Sequence, residues 1–267
     1  MGFLSVQGGV LTYNSYKNKI DKYHEHGLKQ FVSIYNAHKD RNIPLKELKW
    51  GEEMEYQLYV KDLENKTIKL SNCGPYSKLF LDNDIMLMPE FGGWMIEAVP
   101  KKPYDSIIDA AELLSSEVKL HQRREVLDEF CSKYGIQIVS LPNAPSLGTE
   151  NHIVIEDKEL AQQIKDNQHD LSKINDASKS KFVIDNTINS HPRFSGLVKS
   201  IRERRGSKVD IRVPIYEDEF TNLTEATDDE PYPGFIYMDA MHFGMGQCCL
   251  QITYECQTIN HARYLHD

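Results

Sequence analysis

Lys49-Trp50-Gly51-Glu52-Glu53-Met54-Glu55-Tyr56 is the stretch on which the fold turns. Met54, Tyr56 and Leu58 alternate with Glu53, Glu55 and Gln57. Side chains two apart along a strand share a face, so this is a strand with one apolar face and one face carrying two carboxylates. Glu52 has the wrong parity for that pair and is set aside. A second segment, Pro89-Glu90-Phe91-Gly92-Gly93-Trp94-Met95-Ile96-Glu97, again sets carboxylates among aromatic and aliphatic residues. Its Gly92-Gly93 step lets the backbone bend or approach closely. A buried carboxylate is costly unless a cation or donor compensates it. Several converging on one site would suit hard divalent cations, of which Mg²⁺ holding a nucleotide phosphate is the usual case. For Glu53 and Glu55 alone, a solvated strand face is the plain alternative.

Outward from these segments, apolar residues Ile20, Tyr23, Phe31, Ile34 and Tyr35 form a stripe on a helix expected over 15–38. Residues 62–66 read as a hairpin turn and 67–70 as the returning strand. A long helix is expected over 105–134, with Gly135 closing it, and 136–141 follows as a short buried strand. Residues 156–181 are polar, rich in lysine and aspartate, and read as a surface insertion with a frayed helix. Residues 194–205 form a helix stopped by Gly206, after which Val209, Ile211, Val213 and Ile215 alternate as a strand. The acidic, turn-rich stretch 217–233 reads as a mobile loop. Two more strands, 235–241 and 247–256, flank the turn Gly244-Met245-Gly246. In the second, Cys249, Gln251, Thr253 and Glu255 share one face, with Gln251 a candidate ligand contact. Cys248, Leu250, Ile252, Tyr254 and Cys256 share the other, expected to be core. Strands with hairpin-like connections mixed with helices give an α+β fold around a mostly antiparallel sheet with flanking helices. A helix opens at Thr258 or Asn260 and carries no C-terminal signal, so more chain is expected to follow.

The 267 residues suffice for a sizeable core, at 40% hydrophobic and 27% charged. Against 31 basic residues stand 40 acidic ones, a net charge of −9, which argues against bulk nucleic-acid binding. An anionic ligand such as ATP stays possible, because local arginines or metals reverse the sign inside a site. No apolar run approaches a membrane span, and the opening Met1-Gly2-Phe3-Leu4-Ser5-Val6 is not a signal peptide. Val6 stands where myristoylation wants Ser or Thr. The sequons at Asn65 and Asn222 carry little weight without export signals. Cysteines 73, 131, 248, 249 and 256 show neither zinc spacing nor a secreted framework, and a reducing cytoplasm is the expected compartment. The pairs Arg123-Arg124 and Arg204-Arg205, with Arg202, sit on helices where most arginines are solvated. One or two could reach phosphates.

These residues resemble a known family. Leu48 to Tyr56, Met88 to Glu97, His191-Pro192-Arg193-Phe194 and Ile201-Arg202-Glu203-Arg204-Arg205-Gly206 are similar to eukaryotic glutamate–cysteine ligase catalytic subunits (γ-glutamylcysteine synthetase). The strongest match is Ile236-Tyr237-Met238-Asp239-Ala240-Met241-His242-Phe243-Gly244-Met245-Gly246-Gln247-Cys248-Cys249-Leu250-Gln251. The blocks are ordered as in the family's N-terminal portion, so 1–267 is expected to be that part of a single catalytic domain, incomplete at its C-terminus. The resemblance implies a glutamine-synthetase-like fold and ATP-dependent joining of L-glutamate, through a γ-glutamyl phosphate, to L-cysteine. It implies Mg²⁺ at Glu53, Glu55, Glu90 and Glu97, and an amino-acid site lined by Met245, Cys249 and Gln251. Arg123 and Arg124 are the candidates for phosphate. A modifier subunit is an expectation of the same kind. Cys249 borders the expected cysteine subsite or forms a mixed disulfide, with plain packing the alternative. His242 departs from the family, which usually has Gly there. Two other readings stand beside the ligase: a non-catalytic binding or regulatory module, and a guanidino-kinase-like phosphotransferase.

Overall fold

The computed structural model describes residues 9–72, 85–105, 108–150, 152–221, 232 and 234–267. Helices α1 (Tyr13–Tyr16) and α2 (Ile20–His38) precede the organising strand, β1 (Trp50–Asp62). There follow β2 (Thr67–Leu70), β3 (Ile85–Pro89), β4 (Met95–Pro100), α3 (Ala110–Leu114), α4 (Ser116–Ser132) and β5 (Ile136–Val139). Beyond a long irregular connection lie α5 (Lys158–Asp166), α6 (Pro192–Arg205), β6 (Ile211–Pro214), β7 (Phe235–Met238), α7 (His242–Met245), β8 (Leu250–Tyr254) and α8 (Ile259–His266).

β1 is long enough to serve four partners, all antiparallel. Met54 pairs at once with Ala98 of β4 and Leu250 of β8, and Tyr59 with Leu70 of β2 and Gln137 of β5. Gln57 pairs with both Met95 of β4 and Val139 of β5. A strand has two edges, so β4 and β2 share one and β8 and β5 share the other. β3 pairs with the outer side of β4. The expected α+β architecture with an antiparallel sheet is what the chain forms.

The even-numbered side chains of β1 face helix α4. Tyr56, Leu58, Ile96, Ala98, Ile136 and Ile138 pack there against Leu127 and Cys131. The opposite face is covered by the connection after β5: Tyr59, Trp94 and Met95 meet Ala144, Leu147, Ile153 and Val183. That connection is irregular, so its backbone groups need side-chain partners. Asn175 donates to the carbonyls of Ser180 and Val183 and accepts from the Asp185 amide. Buried Asp239 accepts from Ser180 Oγ and the Lys181 amide and pairs with Lys208 at 2.6 Å.

Several elements differ from expectation. The helix expected over 105–134 is two: Asp109 caps α3 by accepting from the Ala111 amide, and the chain restarts after Ser115. Gly135 does take positive φ, at 71°. The polar stretch 156–181 divides into an exposed helix, α5, and a second part whose Leu171, Asn175, Ala177, Ser178 and Ser180 are buried. The strands at 235–238 and 250–254 are not partners across a turn. β7 pairs with β6 in a separate two-stranded sheet, β8 pairs with β1, and α7 lies between them. The supposed core face of β8 is half exposed at Leu250, Ile252 and Tyr254, because α4 ends its cover before reaching it; only Cys248 of that row is buried. The stripe on α2 is likewise not packed, since the helix has no buried residue. Most of the acidic stretch 217–233, the opening Met1–Val6, Cys73 and the sequon at Asn222 lie outside the described residues.

Candidate metal centre

The register of the sheet assembles the site. Glu55 of β1 stands directly opposite Glu97 of β4, and Glu53 opposite Gln251 of β8. Like charges directly across an antiparallel pair destabilise it, so this pairing demands compensation. Glu90 arrives from the end of β3, and Glu55, Glu90 and Glu97 each offer a carboxylate oxygen within 4.8 Å of the others. Glu53 stands outside that trio but close enough for its charge to act on Glu97. Among the described residues, no ion pair involves any of the three.

The loop bearing Glu90 is strapped down. The Gly93 amide donates to the Thr187 carbonyl at 2.8 Å, and the Asn189 amide to the Phe91 carbonyl at 2.8 Å. Asn189 Nδ2 donates to the Glu90 carbonyl at 2.9 Å. A Cβ on Gly93 would run into Asn72 Oδ1, and one on Gly92 would lie 2.8 Å from Trp94. Both glycines are therefore required by close approach. Trp94 is fully buried and stacks on His242 with ring centroids 6.3 Å apart, while Phe91 meets His242 edge-on at 5.5 Å. His242 thus wedges the Glu90 loop against α7. Burial pushes its pKa down to about 4, which leaves the ring neutral at physiological pH.

The trio's electrostatics follow from crowding. Burial pushes the Glu97 carboxyl up to about 8, helped by the hydrogen bond and charge of Glu90 and the charges of Glu53 and Glu55. Glu55 is also raised, first by burial; two donors partly offset this. The Cys249 amide donates to Glu55 Oε2 at 3.0 Å, and Gln251 Nε2 donates to Oε1 at 2.9 Å. Gln251 and Cys249 therefore meet the carboxylate cluster directly, and Met245 is exposed on α7 near the start of the same strand. The Cys249 thiol is raised, first by burial and then by Glu55, so it is a poor thiolate; buried Cys248 is pushed up to about 12.

The two candidate arginines lie elsewhere. Arg123 is buried against Glu52 and donates to the Tyr104 hydroxyl at 2.8 Å, while that hydroxyl donates to Glu52 at 2.7 Å. Arg124 is bound to Asp128, Ser140 and the Ile138 carbonyl, above the Tyr56 ring. Both arginines come from α4, which covers the even face of β1, whereas Glu53 and Glu55 are on the odd face. Neither reaches the trio. Sequence reading passed over the Glu52–Arg123 pair, although Glu52 shares parity with the core residues Tyr56 and Leu58, a sign that it is buried.

All three carboxylates are hard oxygen donors, crowded and, among the described residues, without a cationic side chain paired to them, and this donor set fits Mg²⁺. The sequence model of the family described as glutamate-cysteine ligase matches residues 2–267. The glutamate–cysteine ligase catalytic subunit of Homo sapiens is 37% identical, covering 100% of this chain and 42% of that protein. The glutamate–cysteine ligase of Saccharomyces cerevisiae is 34% identical over 100% of the chain and 42% of its own length. That of Dictyostelium discoideum is 31% identical, over 100% and 44%. The chain thus spans under half the length of these curated relatives.

Proposed function

Since this chain belongs to the glutamate–cysteine ligase family, we propose that it contributes the metal-binding half of an active centre joining L-glutamate to L-cysteine at the expense of ATP. The observation that carries this reading is the meeting of Glu55, Glu90 and Glu97, with Gln251 and the Cys249 amide bonded to Glu55.

In the proposed reaction the γ-carboxylate of glutamate attacks the terminal phosphorus of ATP, giving γ-glutamyl phosphate and ADP. The cysteine amine then attacks the acyl carbon, loses a proton and expels phosphate, leaving γ-glutamylcysteine. Mg²⁺ bound at Glu55, Glu90 and Glu97, with Glu53 beside them, would offset the negative charge where phosphate oxygens meet a carboxylate. The chain's own part is positional. Gln251 and the Cys249 amide fix the rotation of Glu55, and the Thr187–Asn189 strap fixes Glu90. Met245, Cys249 and Gln251 form the wall for the amino-acid substrate. We infer that residues 1–267 belong to a single catalytic domain with a glutamine-synthetase-like sheet, that a modifier subunit joins it, and that it works in the cytoplasm. Among the described residues, no helix is long and apolar enough to cross a membrane.

The test is to supply ATP, Mg²⁺, L-glutamate and L-cysteine to the chain, alone and joined to the portion of a ligase that it does not match, and to assay γ-glutamylcysteine and ADP by mass spectrometry. Product is expected from the joined form, and Glu97→Gln should abolish it. A phosphorylated guanidine in place of the dipeptide would sink the ligase reading for a guanidino-kinase-like one. Metal binding without any product would leave a binding module.

A further inference from the structure

The four-residue helix α7 links two of the three crowded carboxylates. Just past its end the chain reaches Cys249, whose amide donates to Glu55 Oε2 at 3.0 Å and whose carbonyl accepts from the Glu55 amide at 3.1 Å. At its start stands His242, 0% exposed, against the loop that carries Glu90. The Glu90 carboxylate takes its direction from the next residue, since the Phe91 amide donates to Glu90 Oε2 at 3.2 Å. The Phe91 ring is held in turn by near-perpendicular contacts with His242 at 5.5 Å and Phe194 at 6.1 Å. At the far end of the loop the Trp94 indole lies only 12° from parallel with the His242 ring. The indole has no slack: a Cβ on Gly92 would come within 2.8 Å of it, and one on Gly246 within 2.7 Å. His242 thus meets both aromatic residues that bracket the Gly92-Gly93 step, and through Phe91 it bears on Glu90.

What the ring contributes is shape. Neither of its nitrogens has a partner in normal hydrogen-bond geometry. The Ile184 carbonyl, Asp185 and Asp239 favour the charged ring, but burial, together with His152, keeps it neutral. A proton relay or a metal ligand would need its nitrogens engaged. A buried polar ring without such bonds is costlier than a hydrocarbon ring of the same outline, so packing is the part that counts. Packing behind a carboxylate decides how far that carboxylate can swing. Mg²⁺ demands near-octahedral oxygens at about 2.1 Å, whereas Ca²⁺ accepts six to eight at about 2.3–2.6 Å in looser arrangements. Slack in one carboxylate therefore costs the small ion more than the large one.

We propose that His242 is a positioning residue that tunes the choice of cation. By packing against Phe91 and Trp94 it fixes the reach of Glu90 toward Glu55 and Glu97, and so favours Mg²⁺ over the larger Ca²⁺. The inference rests on the reading that these three carboxylates hold a divalent cation, and it is independent of the reaction that follows.

The experiment is to measure the dissociation constants of Mg²⁺ and Ca²⁺ for wild type, His242→Ala, His242→Leu and His242→Phe, by displacement of Mn²⁺ read by electron paramagnetic resonance. One fixed pH serves all, so that proton competition at the carboxylates affects both cations alike, and far-ultraviolet dichroism checks that each variant is folded. His242→Ala empties the space beside both rings. It should weaken Mg²⁺ by about 10-fold or more and Ca²⁺ by no more than about 2-fold. His242→Phe keeps a flat ring without nitrogens and should hold the ratio of the two constants within about 2-fold of wild type. Should His242→Ala fail to fold, His242→Leu carries the test: it fills the space without stacking, and the preference for Mg²⁺ should fall by about 3-fold or more. Equal weakening of both cations, or lost stability with both affinities intact, would make His242 plain core filling and overturn the inference while leaving the cation site standing. A His242→Phe protein that behaves like His242→Ala would overturn it too. If wild type binds no Mn²⁺, the cation site falls and this inference with it.

Discussion

Glu97 is where proton and metal compete. Its folded pKa, about 8, lies above the 4.5 of an ordinary glutamate. The folded state therefore keeps a proton that the unfolded state has released. The stability this group contributes is fully present below pH 4.5 and is lost as pH rises through 8. The metal-free protein should show a melting temperature that falls from pH 5 to pH 8; a flat or rising profile would remove the crowded trio. Glu97→Gln relieves the crowding, so it should melt higher than wild type at pH 8 while its Mn²⁺ affinity, read by electron paramagnetic resonance, drops by about 10-fold or more. On the opposite face, Arg123→Met strands Glu52 in the core and should cost about 3–5 kcal/mol in urea unfolding, much of it recovered by adding Glu52→Gln. The face carrying Glu53 and Glu55 was legible in the alternation of one short segment. The bond from Gln251 to Glu55 was not, because it depends on the register between strands almost 200 residues apart. The location of Arg123 and Arg124 was missed for a related reason: helix periodicity does not reveal which face of the sheet a helix covers.

At the scale of elements, local signals marked boundaries better than partners. Gly206 takes φ 77° and ends α6, and Pro192 follows the His191 cap, both as their residue types dictate. β1, β2 and β5 were readable from alternation and short apolar runs. The break between α3 and α4 escaped notice because apolar residues continue across Ser115. The pairing of β8 with β1 rather than β7 escaped too, because the residues of 235–254 suit a hairpin, while the segment at 239–246 folds into a helical turn anchored by Asp239 and His242. Gly246 makes that turn possible. A Cβ there would run into the His242 carbonyl oxygen and come within 2.7 Å of Trp94. Gly246→Ala should lower stability by about 1–3 kcal/mol in urea unfolding, since neither backbone nor buried indole can move aside cheaply. A neutral result would mean that the turn is not pinned between them.

For the molecule as a whole, a bound cation should act as a brace across three segments of the sheet. A ligand that binds only the folded state stabilises it by mass action, by about 2.7 kcal/mol at a hundred times its dissociation constant. Mg²⁺ or Mn²⁺ should therefore raise the melting temperature, most of all near pH 8, and chelator should reverse the gain; no shift at any pH would rule out a site in the trio. The layout of β1 bears on how the chain comes into being. Its first five residues find their outer neighbour only at 250–254. At ribosomal speeds of about 5–20 residues per second, the strand carrying Glu53 waits on the order of ten to forty seconds after emerging before Gln251 exists to lie beside it. Until then its sticky, carboxylate-bearing half stays open to the wrong neighbours, so newborn chains carrying this sheet should lean on chaperones.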